Sequence, residues 1–169
     1  VSDCMMEPLA ADGGILPSAE FQPDHVHPAS LDLRLGAVAY RVRASFLPGS
    51  TTVARRIDEL KLHEFALTDG AVLETGCVYI VPLLESLALP DDISAAAKPK
   101  SSTGRLHVYN RVLAAPLPCF DHVDAGHHDL LYAGTNSRTV PGLPTAVSPL
   151  SQSRFTLVRD HPRRLSLPA

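Results

Sequence analysis

The sequence predicts an all-β domain, and three observations carry that expectation. Proline accounts for 15 of the 169 residues, well above the usual share of roughly 5%, and proline breaks helix interiors because it lacks a donor and clashes with the preceding turn. Short runs of alternating apolar and polar side chains recur, the pattern of half-buried strands. Their spacing of about ten residues is that of a sandwich, jelly roll or barrel. A hydrophobic fraction of 45% in a chain of this length suffices for one core.

The elements follow in order. Residues 1–28 read as a loosely structured arm, because Asp12-Gly-Gly-Ile-Leu-Pro17 and Pro23-Asp-His-Val-His-Pro28 carry Gly and Pro at turn density. A domain over residues 29–160 and a tail over 161–169 complete the expected organisation. Leu31-Asp-Leu-Arg-Leu35 alternates strictly, Gly36 punctuates it, and Val38, Tyr40 and Val42 resume the alternation, so a hairpin or bend is expected there. Thr52 to Leu62 fits a short helix, although Leu60-Lys-Leu62 equally begins a strand. Asp69-Gly70 predicts a hairpin between Phe65-Ala-Leu67 and Ala71-Val-Leu-Glu74. Cys77-Val-Tyr-Ile-Val81 is the most apolar β-branched run and the expected central strand, with a bulge or edge at Pro82. Leu106–Tyr109, Leu130–Ala133 and Phe155–Arg159 add further strands, for a total of about eight or nine.

Charge and cysteine content narrow the function classes. With 18 acidic and 15 basic residues the formal net charge is −3, which gives no general attraction to nucleic acid or anionic membrane. No run of eighteen apolar residues and no signal-like N-terminus occurs. Cys4, Cys77 and Cys119 are too scattered for a disulfide framework or a metal knuckle, so a cytoplasmic setting without nucleic-acid or membrane partners is expected. Cys119 beside Phe120 reads as a buried apolar residue. Asp32 and Arg34 share one strand face and suggest an intersubunit or edge ion pair. His25-x-His27 and His127-His128 have crude ligand character, but no His-x-Glu precedes a Pro-Cys-x-x-Cys, so zinc is not expected.

The stretch richest in chemistry is Lys98-Pro-Lys-Ser-Ser-Thr-Gly-Arg105. Such a turn aims backbone N–H groups and hydroxyls at one point, and an arginine adds a planar fork for phosphate oxygens. A solvated surface turn is the plain alternative. Pro99-Lys-Ser-Ser-Thr-Gly-Arg-Leu106 also resembles the phosphate-binding motif of the dCTP deaminase and trimeric dUTPase superfamily. His27-Pro-Ala-Ser-Leu-Asp-Leu-Arg-Leu-Gly36 is similar to that family's early strand, and Gly76–Glu85 with Leu89-Pro90 to its central hairpin. These matches span about residues 15 to 158, and the likeness is to the first half of long bacterial dCTP deaminases.

The resemblance implies a β-clip, a distorted jelly roll with little helix, assembled as a homotrimer or other homo-oligomer with sites between subunits. It implies that Lys100, Ser101, Ser102 and Arg105 hold the triphosphate of dCTP or dUTP, with Mg²⁺ bound through that triphosphate. Asp124 matches the aspartate of the family's Asp-Pro-Gly turn, and Gln152 a late glutamine that contacts phosphate. The implied reaction is hydrolytic deamination of dCTP to dUTP and ammonia. One departure stands out: ten residues after the aspartate, where deaminases carry the water-activating glutamate, this chain has Gly134, and no glutamate follows Glu85. Asp124, Asp129 and His128 are the nearby candidates for a partial substitute. A non-catalytic dNTP-binding or assembly module, or a dUTP diphosphatase using Asp124, therefore stand as alternatives.

Overall fold

Glycines, prolines and β-branched runs place the chain's strands much as expected, and a register of close backbone contacts joins them. The computed structural model describes residues 13–18, 26–27, 30–100, 108–115, 119–137 and 149–157. In chain order these form β1 (Ile15–Pro17), β2 (Val26–His27), β3 (Ser30–Arg34), β4 (Val38–Val42), helix α1 (Val53–Leu60), β5 (Lys61–Ala66) and β6 (Val78–Ala88). There follow β7 (Ile93–Pro99), β8 (Val108–Leu113), β9 (His122–Val123), β10 (His128–Ser137) and β11 (Pro149–Leu157). The first sheet runs β5-β4-β6-β10-β8, with β1 also on β6, and the second runs β2-β3-β11-β7-β9. All pairings are antiparallel. The all-β expectation holds, with one short helix among the described residues.

β6 is the central strand, as its apolar run predicts. β10 lies along one edge of it, while the other edge is shared by β4 at Val78–Ile80 and β1 at Glu85–Leu87. Between those two partners sits Pro82, whose carbonyl accepts the Gly36 N–H at 2.8 Å. A Cβ at position 36 would lie 2.8 Å from that same oxygen, so only glycine admits this approach. The register of β10 shifts between Leu130 and Tyr132 opposite Pro82, the expected bulge.

Several expectations are corrected. At Gly36 the expected bend occurs and the hairpin does not, because β3 belongs to the second sheet and β4 to the first, so the chain changes layers there. Asp69-Gly70 does turn, with Gly70 at φ +80, but Ala71–Glu74 forms no strand and β5 pairs with β4 instead. The Thr52–Leu62 segment is both a helix and a strand: Thr52 caps α1 by accepting the Arg55 N–H at 3.3 Å, and β5 starts at Lys61. Within the segment read as a loose arm, Ile15 is a core residue and β1 is paired. Cys119 is exposed rather than buried. Eleven strands occur among the described residues, because two-residue pairings such as β2 and β9 carry too little pattern to be seen in sequence.

Two apolar clusters result. Leu31, Leu33, Leu35, Val81, Leu83, Leu87, Ala95 and Leu131 belong to the main core. Val53 and Ile57, one turn apart on α1, bury with Val42, Ile80, Leu113 and Ala115 in the second. Asp32 and Arg34 lie on an inner strand of the second sheet, not an edge, and each takes a partner from another segment. Arg34 Nε is 2.6 Å from Glu85 Oε1, and its backbone N–H donates to Oε2 at 2.7 Å. Both side chains are almost fully enclosed, so β3 and β6 are tied by a buried ion pair.

Candidate functional site

Strand register puts one group of site residues in a row. Gln152 on β11 lies opposite Asp32 on β3 and opposite Lys98 on β7. Directly opposed residues of antiparallel strands point to the same face. From the end of β7, Lys100 Nζ donates to Asp32 Oδ2, and the Asp32 carboxylate is buried while the lysine is part-exposed. Lys100 and Gln152 are thus brought to one place, at the start of the hydroxyl-rich loop. Ser101, Ser102 and Arg105 lie outside the described residues.

Position 134 is on the other sheet. Gly134 sits in β10 between Ile80 of β6 and Arg111 of β8. It lines a pocket of about 360 Å³ with Tyr109, Arg111, Phe120, Thr135 and Asn136, closed further by Ser45 and Val78. No carboxylate and no histidine is among these lining residues. A Cβ on Gly134 would meet Leu113 Cδ1 at 3.0 Å and Ile80 Cδ1 at 3.4 Å, both from the cluster under α1. A side chain there begins against hydrocarbon.

The pocket's charged wall is built by one strained turn. Asp121 has φ +60, a left-handed conformation that aspartate tolerates better than most residues. Its Oδ1 accepts the Val112 N–H at 2.7 Å, its N–H donates to Val112 O at 2.9 Å, and its carbonyl accepts the Ala97 N–H at 2.9 Å. Oδ2 holds Arg111 Nη1 at 3.1 Å, and that guanidinium lies 5.8 Å from the Phe120 ring centre. Burial pushes the Asp121 carboxyl up, while the Val112 N–H and Arg111 oppose it. Asp121 therefore ties β7 to β8 and fixes the arginine that faces the pocket.

The Asp124-Ala-Gly126 turn is pinned from below. Gly126 has φ +74 and donates to Pro90 O at 3.0 Å, and a Cβ there would meet Asp91 Oδ1 at 2.6 Å. Asp124 is exposed and pairs with His122 at 3.1 Å. His127 is enclosed, its Nε2 has no partner, and burial lowers its pKa. His128 and Asp129 are exposed at the start of β10, and Asp129 Oδ1 accepts its neighbour's N–H from Leu130 at 2.7 Å. A strand advances about 3.3 Å per residue, so Asp129 and His128 stand roughly 16–20 Å along β10 from Gly134. Within one chain they do not reach the position they were expected to serve.

Sequence reading names Lys100 and Gln152, which the structure brings to one row, but not Asp32 as the lysine's partner, nor Tyr109, Arg111 and Asn136 as pocket residues. Only a register could have revealed the latter, because Tyr109 and Arg111 alternate like any edge strand. Asp121, in Pro-Cys-Phe-Asp, carried a turn composition that went unread.

Comparison with known proteins agrees with the fold and with the family resemblance. The family model described as the 2'-deoxycytidine 5'-triphosphate deaminase N-terminal domain matches residues 1–159. A dCTP deaminase, dUMP-forming, from Methanoculleus marisnigri is 35% identical over 96 residues, covering 52% of this chain and 46% of that protein. The crystal structure of 2'-deoxycytidine 5'-triphosphate deaminase from Agrobacterium tumefaciens superposes with a TM-score of 0.89 at 51% identity, covering 93% of this chain and 47% of that one. The chain spans about half the length of these relatives.

Proposed function

Since the chain belongs to the dCTP deaminase family, we propose that it serves the hydrolytic deamination of dCTP to dUTP and ammonia as a nucleotide-holding part, with the water-activating carboxylate supplied from outside this chain. The observation that carries this reading is the pocket at Gly134, whose walls carry aromatic, amide, hydroxyl and guanidinium groups and no general base among the described residues. Its size and mixed lining suit a nucleobase and sugar. The triphosphate is assigned to Lys100, Ser101, Ser102, Arg105 and Gln152, and Asp124 to the sugar and base.

In this reading Lys100 acts as a point charge already held by Asp32, and Arg105 as a two-pronged donor. Mg²⁺ bound through the triphosphate would supply counter-charge beside Lys100 and Arg105. The Lys100 row and the Gly134 pocket lie on different sheets, which favours a site completed between copies, in a homotrimer or other homo-oligomer with a β-clip fold. A cytoplasmic setting accords with a nucleotide substrate, and among the described residues no helix is long and apolar enough to cross a membrane.

The reading is tested by calorimetric titration of the protein with dCTP in Mg²⁺, beside Lys100→Ala and Arg105→Ala. Saturable binding is expected, weakened about 10-fold or more by either variant, since a charge-assisted contact to phosphate contributes about 1.5–3 kcal/mol. Unchanged affinity in both variants removes the triphosphate assignment.

A further inference from the structure

We propose that an enclosed water molecule sits between the two sheets, held by Asn110 and Thr135 against Ser151, and that it forms part of the folded structure. Asn110 on β8 and Thr135 on β10 are directly opposed and face the interior together, each about 1% exposed. Asn110 Nδ2 crosses to the second sheet and donates to Ser151 Oγ at 2.6 Å. That leaves Asn110 Oδ1 and Thr135 Oγ1 buried without a partner among the described residues, and Ser153 Oγ, two residues along β11, is in the same condition.

Unpaired polar atoms in an interior are rare, because each forfeits its hydration without recompense. The groups do not satisfy one another directly, yet opposed residues have Cβ atoms about 5 Å apart, the separation that a single water spans with two hydrogen bonds. The chemistry is complementary. Asn110 Oδ1 only accepts, so water donates to it. The Thr135 hydroxyl donates to water or accepts from it. The Ser151 hydroxyl, having accepted from Asn110, still has a proton to give. Buried waters typically make about three such bonds. Thr135 also borders the pocket at Gly134, which gives the water a route of exchange. The proposal stands on burial and register, and does not depend on nucleotide binding.

The test is a high-resolution crystal structure of the chain, read together with thermal unfolding of Thr135→Val and Thr135→Ser. Density bridging Asn110 Oδ1 and Thr135 Oγ1 is expected in the wild-type protein and in Thr135→Ser. Thr135→Val, of nearly the same shape, is expected to lose that density and to lower the unfolding midpoint by about 2–5 °C. In a dry site the same change would remove an unpaired hydroxyl and raise the midpoint. Absence of bridging density in the wild-type structure, or a midpoint raised in Thr135→Val, overturns the proposal.

Discussion

At position 134 the neighbouring side chains stand close to where a side chain would begin. Leu113 and Ile80 stand 3.0 and 3.4 Å from where a Cβ would be. Gly134→Glu is therefore expected to cost about 1–3 kcal/mol by overpacking, and Leu113→Ala should relieve part of it. The check is a double-mutant cycle in urea: a coupling of at least about 0.5 kcal/mol marks contact between the two sites, and strict additivity denies it. His127 makes a second prediction. Its folded-state pKa lies below the ordinary 6.5 because burial disfavours the charged ring. The neutral ring's contribution is full above the unfolded value and is lost as pH falls from about 6.5 toward the folded value. Unfolding midpoints between pH 7.5 and 5.5 should fall more steeply in the wild-type protein than in His127→Leu.

Among the elements, β3 and β6 are held by a device that strand patterns do not reveal. The alternation of Leu31, Leu33 and Leu35 was legible, and so was the central place of the Val78–Val81 run. Neither tells that Arg34 would meet Glu85 across the two sheets, since 51 residues separate them and partner choice is a property of register. Removing one member strands a buried charge, so Arg34→Met or Glu85→Leu alone should destabilise by about 3–5 kcal/mol, while the double replacement should recover most of it. Chemical denaturation of the three variants measures this. The helix was half legible. Val53 and Ile57 repeat at one turn, but the lysine that begins β5 directly after the helix hid the boundary. The Asp69-Gly70 turn was legible as a turn and misleading as a hairpin, because the partner of β5 comes from earlier in the chain.

For the whole molecule, the family was legible in the letters of the Lys98–Arg105 loop and of the early strand, and the comparisons agree with that family. What sequence could not supply was the division of the candidate site between two sheets, with Lys100 and Gln152 on one and Gly134 on the other. That division leads to the proposed assembly between copies, for which sedimentation equilibrium should show a species of three chain masses. A lost general base removes about 10²–10⁴-fold in rate. The most direct measurement is the fate of dCTP on this chain alone, with enzyme in excess and Mg²⁺ present, by assaying ammonia and dUTP after full binding. Bound dCTP recovered unchanged is the expected result. Ammonia and dUTP released in amounts matching the bound nucleotide would show that this chain carries its own base, and would contradict the proposed division of labour.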